Sequence, residues 1–284
     1  RSDGPHRPDG RYRSDRRYLY LRGLAAYQVG RDSEAIVHLQ DVAAEAPALF
    51  YLGRAYIRSG RPLLGVEKLK QLLGEFPESE FVEEAEFLLG EAFLAAQDHL
   101  SAMTSYEKFL RQYPRTALRP AAVFKIAVSQ FSLGDFLQAR GGFQSVLQEA
   151  PQSEFAAPAL YLIGESFRRQ ERYKDAAFAY ADLIQGYSAH ELAPLAHLLL
   201  ADCQYRQELY GPARTTAQEL LRKFPDHPLA ASALMLEGNA LSREGEHGAA
   251  AHAYRAAHDR TSATELGEAS LALMCRANYL NRDD

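Results

Sequence analysis

The sequence predicts an all-α solenoid of about seven helical hairpins closed by a C-terminal capping helix, and three rows of residues predict it. One small residue recurs every 37 positions, at Gly53, Gly90, Ala127, Gly164, Ala201 and Gly238, with Cys275 on the next step. A second small row keeps the same period at Gly65, Ala102, Ala139, Ala176, Ala213 and Ala250. A third row runs Pro77, Pro114, Pro151, Ser188, Pro225 and Ser262, where a helix should stop. A fixed period of this size marks stacked repeats, each too small to bury its apolar face alone. Glycine or alanine at two points of a hairpin lets the two backbones cross closely while larger neighbours fill the flanking grooves.

Taken in order, residues 1–15 are rich in Arg, Pro, Gly and Asp without hydrophobic periodicity, and are expected to form a flexible basic tail or linker. The solenoid follows over residues 16–284, with hairpins starting near Arg16, Ala46, Glu83, Pro120, Ala157, Pro194 and Ala231 and a capping helix over about Glu265 to Tyr279. The first hairpin has Gly23 and Ala35 as its small pair, Gly30 at the turn and Pro47 as the stop. Its step to Gly53 is only 30 residues, and the shortfall lies after Pro47, so the first helix of the second hairpin is expected to be about two turns shorter than its successors. The chain opens at Arg1 instead of methionine, which reads as a processed or truncated product.

Hairpins such as ALFYLGRAYIRSGRPLLGVEKLKQLLGEFP and APALYLIGESFRRQERYKDAAFAYADLIQGYS resemble tetratricopeptide repeats. Tyr56, Phe93 and Phe167 match the family's aromatic three residues after the first small position, and Tyr106, Phe143, Tyr180 and Tyr254 match its aromatic four residues after the second. The chain departs from the pattern at Gln130, Gln204, Leu241 and Ala217, and its period exceeds the usual one of about 34. The linkers FPESEF, YPRTAL, APQSEF and FPDHPL resemble the bacterial envelope subgroup of these repeats, those of the BamD and YbgF/CpoB kind. The resemblance implies a right-handed superhelix, a non-enzymatic role in protein–protein interaction, and a concave groove lined by the first helices.

Groove candidates follow by register. Three residues before each small position stand Tyr20, Phe50, Phe87, Phe124, Tyr161, Leu198 and Met235. Such a row either grips a partner segment through repeating anchors or packs against the next hairpin as core, and the neighbouring Leu49, Val123, Leu160 and Leu234 favour core. Five residues after the small position come Gln28, Arg58, Ala95, Ser132, Arg169, Arg206 and Arg243. The last three form a basic ladder which, with Arg168 and Tyr205, is the preferred contact for an acidic protein or peptide partner, since guanidinium pairs bidentately with carboxylate. The competing reading pairs each arginine with a local acid, Glu165, Asp202 or Glu244. The span 71–107 holds no Lys or Arg but nine acids, so it is either solvated surface or a second docking patch, and with the ladder it would permit self-association. Tyr20, Phe50, Leu24 and Arg54 occupy positions where chaperone-binding members of the family carry a carboxylate clamp, which argues against an adaptor of that kind.

The remaining features exclude more than they suggest. A net charge of −5 gives no basic face for nucleic acid, and no apolar run approaches the length of a membrane span. Phosphate-binding glycine loops, HExxH and nucleophile elbows are absent from the sequence, so neither an enzyme nor a cofactor is expected. His247, His252 and His258 are spaced by five and six residues, which scatters them around a helix, so no metal site is expected. Cys203 and Cys275 read as buried thiols too distant for a disulfide. The expected function is a protein-binding scaffold in a bacterial envelope assembly, periplasmic or outer-membrane-associated. The alternatives are a cytoplasmic adaptor or regulator, and a helical accessory region of a larger enzyme.

Overall fold

The computed structural model describes residues 9–281; the first eight residues of the expected tail lie outside them. Among the described residues the chain is entirely helical, in successive hairpins. These pair α1 (Asp9–Gln28) with α2 (Asp32–Gln40), α3 (Ala46–Arg58) with α4 (Pro62–Glu75), and α5 (Val82–Ala95) with α6 (His99–Gln112). They continue through α7 (Arg119–Ser132) and α8 (Phe136–Glu149), α9 (Ala156–Arg168) and α10 (Tyr173–Gly186), and α11 (Ala193–Arg206) and α12 (Tyr210–Lys223). The last hairpin is α13 (Ala230–Arg243) with α14 (His247–Thr261), against which α15 (Glu265–Leu280) packs. Helix α1 begins at Asp9, inside the stretch that the sequence assigns to a tail.

The chain divides into two compact units, Arg1–Gly142 and Phe143–Asp284. In the first, α1 touches α3 and α3 touches α5, in addition to the contacts each helix makes with its sequence neighbours. In the second, α11 touches α13 and α13 touches α15 in the same way. Each unit is therefore a stack in which first helices contact one another directly.

The turn inside every hairpin has one geometry. Seven residues after the first small position the backbone enters the left-handed region, at Gly30, Gly60, Gln97, Gly134, Glu171, Glu208 and Gly245. The next N–H reaches back to close the helix end, as in Asp98 N to Phe93 O at 2.9 Å and Arg172 N to Phe167 O at 3.0 Å. Four of the seven residues are glycine, and the other three carry the cost of a Cβ in that conformation. Gln97→Gly, at φ 60°, is therefore expected to stabilise the first unit by about 0.5–1 kcal/mol, read as a raised urea midpoint. A lowered midpoint would mean that Gln97 makes a stabilising contact outweighing its strain.

The small rows are explained by what faces them. A Cβ built on Gly90 would fall 2.5 Å from the Tyr106 ring, and one on Gly164 2.5 Å from the Tyr180 ring. On Gly238 it would fall 2.6 Å from Tyr254. Where the first helix carries alanine, a small residue stands close by, although in the hairpin of Ala127 the aromatic position itself keeps the buried Phe143. Gly142 faces Ala127, with 2.8 Å between its built Cβ and the alanine's, and Ala201 shares a core cluster with Ala217.

The expected shortening of the second hairpin is corrected. Helix α3 keeps 13 residues against 14 in α5, whereas α2 has 9 against 14 in α4. Pro47 does not stop a helix; it lies in the first turn of α3, where its missing N–H costs nothing. Helix α3 retains its length because it buries Ala48, Leu49, Phe50, Leu52 and Ala55 between neighbours on two sides.

Candidate functional site

The aromatic row lies in the hairpin cores. Phe50 is 1 % exposed and stacks on Phe81 at 4.7 Å, and Phe124 is also buried. Phe87 meets Tyr106 and Phe109 edge-on at 5.3 and 5.5 Å. Tyr20 and Tyr161 are half-buried against the clusters of their own units, as are Leu198 and Met235.

The arginines separate into two groups. Arg58 donates from Nε to both Asp32 carboxylate oxygens at 2.7 Å and from its terminal nitrogen to Tyr27 O, and it lies 4.0 Å over the Tyr27 ring. Arg168 makes a two-point pair with Glu165, Nε to Oε1 and Nη2 to Oε2, both at 2.8 Å. The same carboxylate accepts the Tyr180 hydroxyl at 2.6 Å. Burial pushes the Glu165 carboxyl up, but the hydrogen bonds from Arg168 and Tyr180 and the charges of Arg168 and Arg169 outweigh it and hold the group below the usual carboxylate range. Both guanidinium groups are thereby committed to their own stack.

Arg169, Arg206 and Arg243 are all exposed, at the C-terminal ends of α9, α11 and α13 in the second unit. Arg206 donates Nε to Asp202 Oδ2 at 2.9 Å and stands over the Tyr173 ring at 5.4 Å. Arg243 stands over Tyr210 at 5.3 Å, and the Tyr210 ring in turn lies 5.5 Å from Tyr205. Of the three local acids, Asp202 holds its expected arginine, Glu165 takes Arg168, and Glu244 takes Arg214 at 3.0 Å. An arginine on the end of one first helix thus rests on a tyrosine from the preceding second helix, twice in succession. Tyr173 and Tyr210 were not among the residues singled out in the sequence. Their signal is a further 37-residue row, Phe136, Tyr173, Tyr210 and His247.

The acidic span is partly neutralised within the first unit. Arg54 pairs with Glu84 at 3.0 Å, Lys108 with Glu86 at 2.9 Å and Lys125 with Glu91 at 3.2 Å. Cys203 is buried, and burial pushes its thiol up to about 12. Cys275 is exposed, contrary to the sequence reading, because it lies on the side of α15 against which no described helix packs. Among the described residues no group of three His, Cys, Asp or Glu side chains is placed to hold a metal, and no helix is long and apolar enough to cross a membrane.

The tetratricopeptide repeat family matches the chain in overlapping segments, residues 50–117, 87–154, 124–189, 161–228 and 210–263. No match was found among curated proteins. Among solved structures, a tetratricopeptide repeat protein from Parabacteroides merdae is similar over 92 % of this chain and 99 % of its own, at 14 % identity and a TM-score of 0.58. The apo form of RapI is similar over 91 % of this chain and 79 % of its own, at 12 % identity and a TM-score of 0.67. Pseudomonas aeruginosa PilF is similar over 82 % of this chain and 98 % of its own, at 17 % identity and a TM-score of 0.55. At these identities the likeness is one of fold.

Proposed function

The chain belongs to the tetratricopeptide repeat family, whose repeats bind protein partners, and on that premise we propose that it is a non-enzymatic scaffold docking an acidic segment of a partner along Arg169, Arg206 and Arg243. The observation that carries this reading is the repeated seating of Arg206 on Tyr173 and Arg243 on Tyr210. A guanidinium held beside a tyrosine, with Nε of Arg206 already fixed by Asp202, has less rotamer freedom left to lose, and both arginines are exposed to an incoming carboxylate. Tyr205 packs against the Tyr210 ring over which Arg243 stands. Arg58 and Arg168 have no part in it, being engaged by Asp32 and Glu165.

The test uses a fluorescein-labelled glutamate-rich peptide and its glutamine counterpart, titrated by anisotropy against the parent and against an Arg169→Glu/Arg206→Glu/Arg243→Glu variant of matching circular dichroism. The expected result is loss of at least about tenfold in affinity for the acidic peptide alone, with binding that weakens in salt. Equal binding by parent and variant would reject the ladder. The setting we propose is a bacterial envelope assembly, on the likeness of the linkers FPESEF, YPRTAL, APQSEF and FPDHPL. Fractionation of the native host decides it: recovery with the cytoplasm would favour the adaptor alternative.

A further inference from the structure

A groove lies between α4 and α6, floored by α5, with a volume of about 390 Å³. Leu89 and Phe93 make its floor apolar, and Leu100 stands at its lip, 67 % exposed. Lys70 and Lys108 enter from opposite walls. In sequence these two lysines bracket the span that has no Lys or Arg, and the hairpin stack brings them to one site. Lys108 reaches Glu86 at 2.9 Å, whereas Lys70 lies 5.8 Å from the centre of the Phe93 ring and makes no ion pair among the described residues.

The repeat supplies an internal comparison. Four 37-residue periods along, Lys70 becomes Gln218, Leu89 becomes Glu237, Phe93 becomes Leu241 and Thr104 becomes His252, and these line a groove of about 500 Å³ in the second unit. There the polar groups satisfy one another: Gln218 Nε2 donates to Glu237 Oε1 at 2.7 Å, and Arg214 is held by Glu244 at 3.0 Å. The groove in the first unit has an apolar floor and a lysine that no carboxylate neutralises. It also belongs to a longer apolar row, since Leu63, Leu100 and Leu137 recur at the 37-residue period with exposures of 65, 67 and 74 %. In the second unit the same row reads Lys174, Gly211 and Gly248. Three large apolar side chains repeated on the solvent side of one unit and dropped from the other mark an interaction face.

We propose that this second-helix face of the first unit docks an amphipathic helix of a partner protein, with apolar anchors toward Phe93 and the leucine row and carboxylates toward Lys70 and Lys108. Adjacent repeats stack at about 10 Å, which matches the rise of about 10.5 Å between residues seven apart on a helix, so one helix can present the same face to successive repeats. The lysines select the sign of its flanking charge. This surface is separate from the arginine ladder and carries no part of that reading.

The experiment uses a fluorescein-labelled synthetic helix of about 18 residues with a leucine stripe flanked by glutamates, beside a version with lysines for glutamates and one broken by a central proline. Anisotropy is measured with the parent chain, with Leu100→Ser and with Lys70→Glu, both at exposed positions that leave the core intact. The expected result is preferential binding of the glutamate helix and a loss of about tenfold in each variant, with no change in the Arg169→Glu/Arg206→Glu/Arg243→Glu protein. Absence of binding, affinities in both variants that match the parent's, or equal binding of the proline-broken peptide would overturn the proposal.

Discussion

Gly164→Ala is expected to destabilise the second unit by about 2 kcal/mol, although alanine is the better helix former by about 1 kcal/mol. The added methyl would sit 2.5 Å from Tyr180 Cε1. The tyrosine cannot withdraw, because its ring is fully buried and its hydroxyl is fixed on Glu165 at 2.6 Å. The helices must therefore separate, against contacts that interior packing makes stiff. Gly74→Ala is the control: nothing stands within 4 Å of a Cβ there, and it should be neutral or stabilising by up to about 1 kcal/mol. Urea unfolding of both variants and of Gly164→Ala/Tyr180→Ala decides the matter. If the clash is the cause, the double variant is no less stable than Tyr180→Ala alone; additive losses would show that Gly164 acts through something other than the ring.

Arg168→Ala is expected to cost about 2–3 kcal/mol at neutral pH. Removing one partner of a fully buried ion pair costs about 3–5 kcal/mol, and the figure is reduced here because the Arg168 side chain is 35 % exposed and water screens the pair. What makes the loss large is Glu165, whose side chain is only 8 % exposed and would keep the Tyr180 hydroxyl and the Arg169 charge but lose its two-point pair. The sign of the pH dependence follows from the same arrangement. The folded-state pKa of Glu165 is lowered, so its stabilising contribution is present above the unfolded value near 4.3 and is lost as pH falls through the lower folded value. Thermal unfolding from about pH 6 to 3 should show a smaller acid loss in Arg168→Ala than in the parent, whereas parallel profiles would place the acid sensitivity elsewhere.

Both results depend on a pairing that the sequence exposes only in part. The glycine rows were legible because close helix crossing needs a small residue at a fixed interval, and Tyr106, Tyr180 and Tyr254 were legible as the aromatics facing them. That Glu91, Glu165 and Asn239, each one residue past the glycine, accept those hydroxyls was not legible, since an acid beside a glycine on a helix otherwise reads as solvated surface. The arginine row was found by its period, but the distinction between Arg168 and Arg169 was not. One residue turns a side chain by about 100° around the helix, enough to place Arg168 in a two-point pair with Glu165 while its neighbour Arg169 is exposed. Tyr173 and Tyr210 escaped notice because an aromatic opening a second helix reads as packing until an arginine from the next hairpin is seen above it.

The sequence by itself determined the hairpin, its period, its close crossings and its family, because these rest on contacts within one repeat that recur unchanged. Only the tertiary structure decided which charges are spent on one another, that the missing residues fall in α2 instead of α3, that Cys275 is exposed, and that Lys70, Phe93, Leu100 and Lys108 share one groove. Those outcomes depend on side chains of neighbouring hairpins meeting in space, and a repeat pattern specifies the spacing of hairpins while leaving free what their surfaces present to each other.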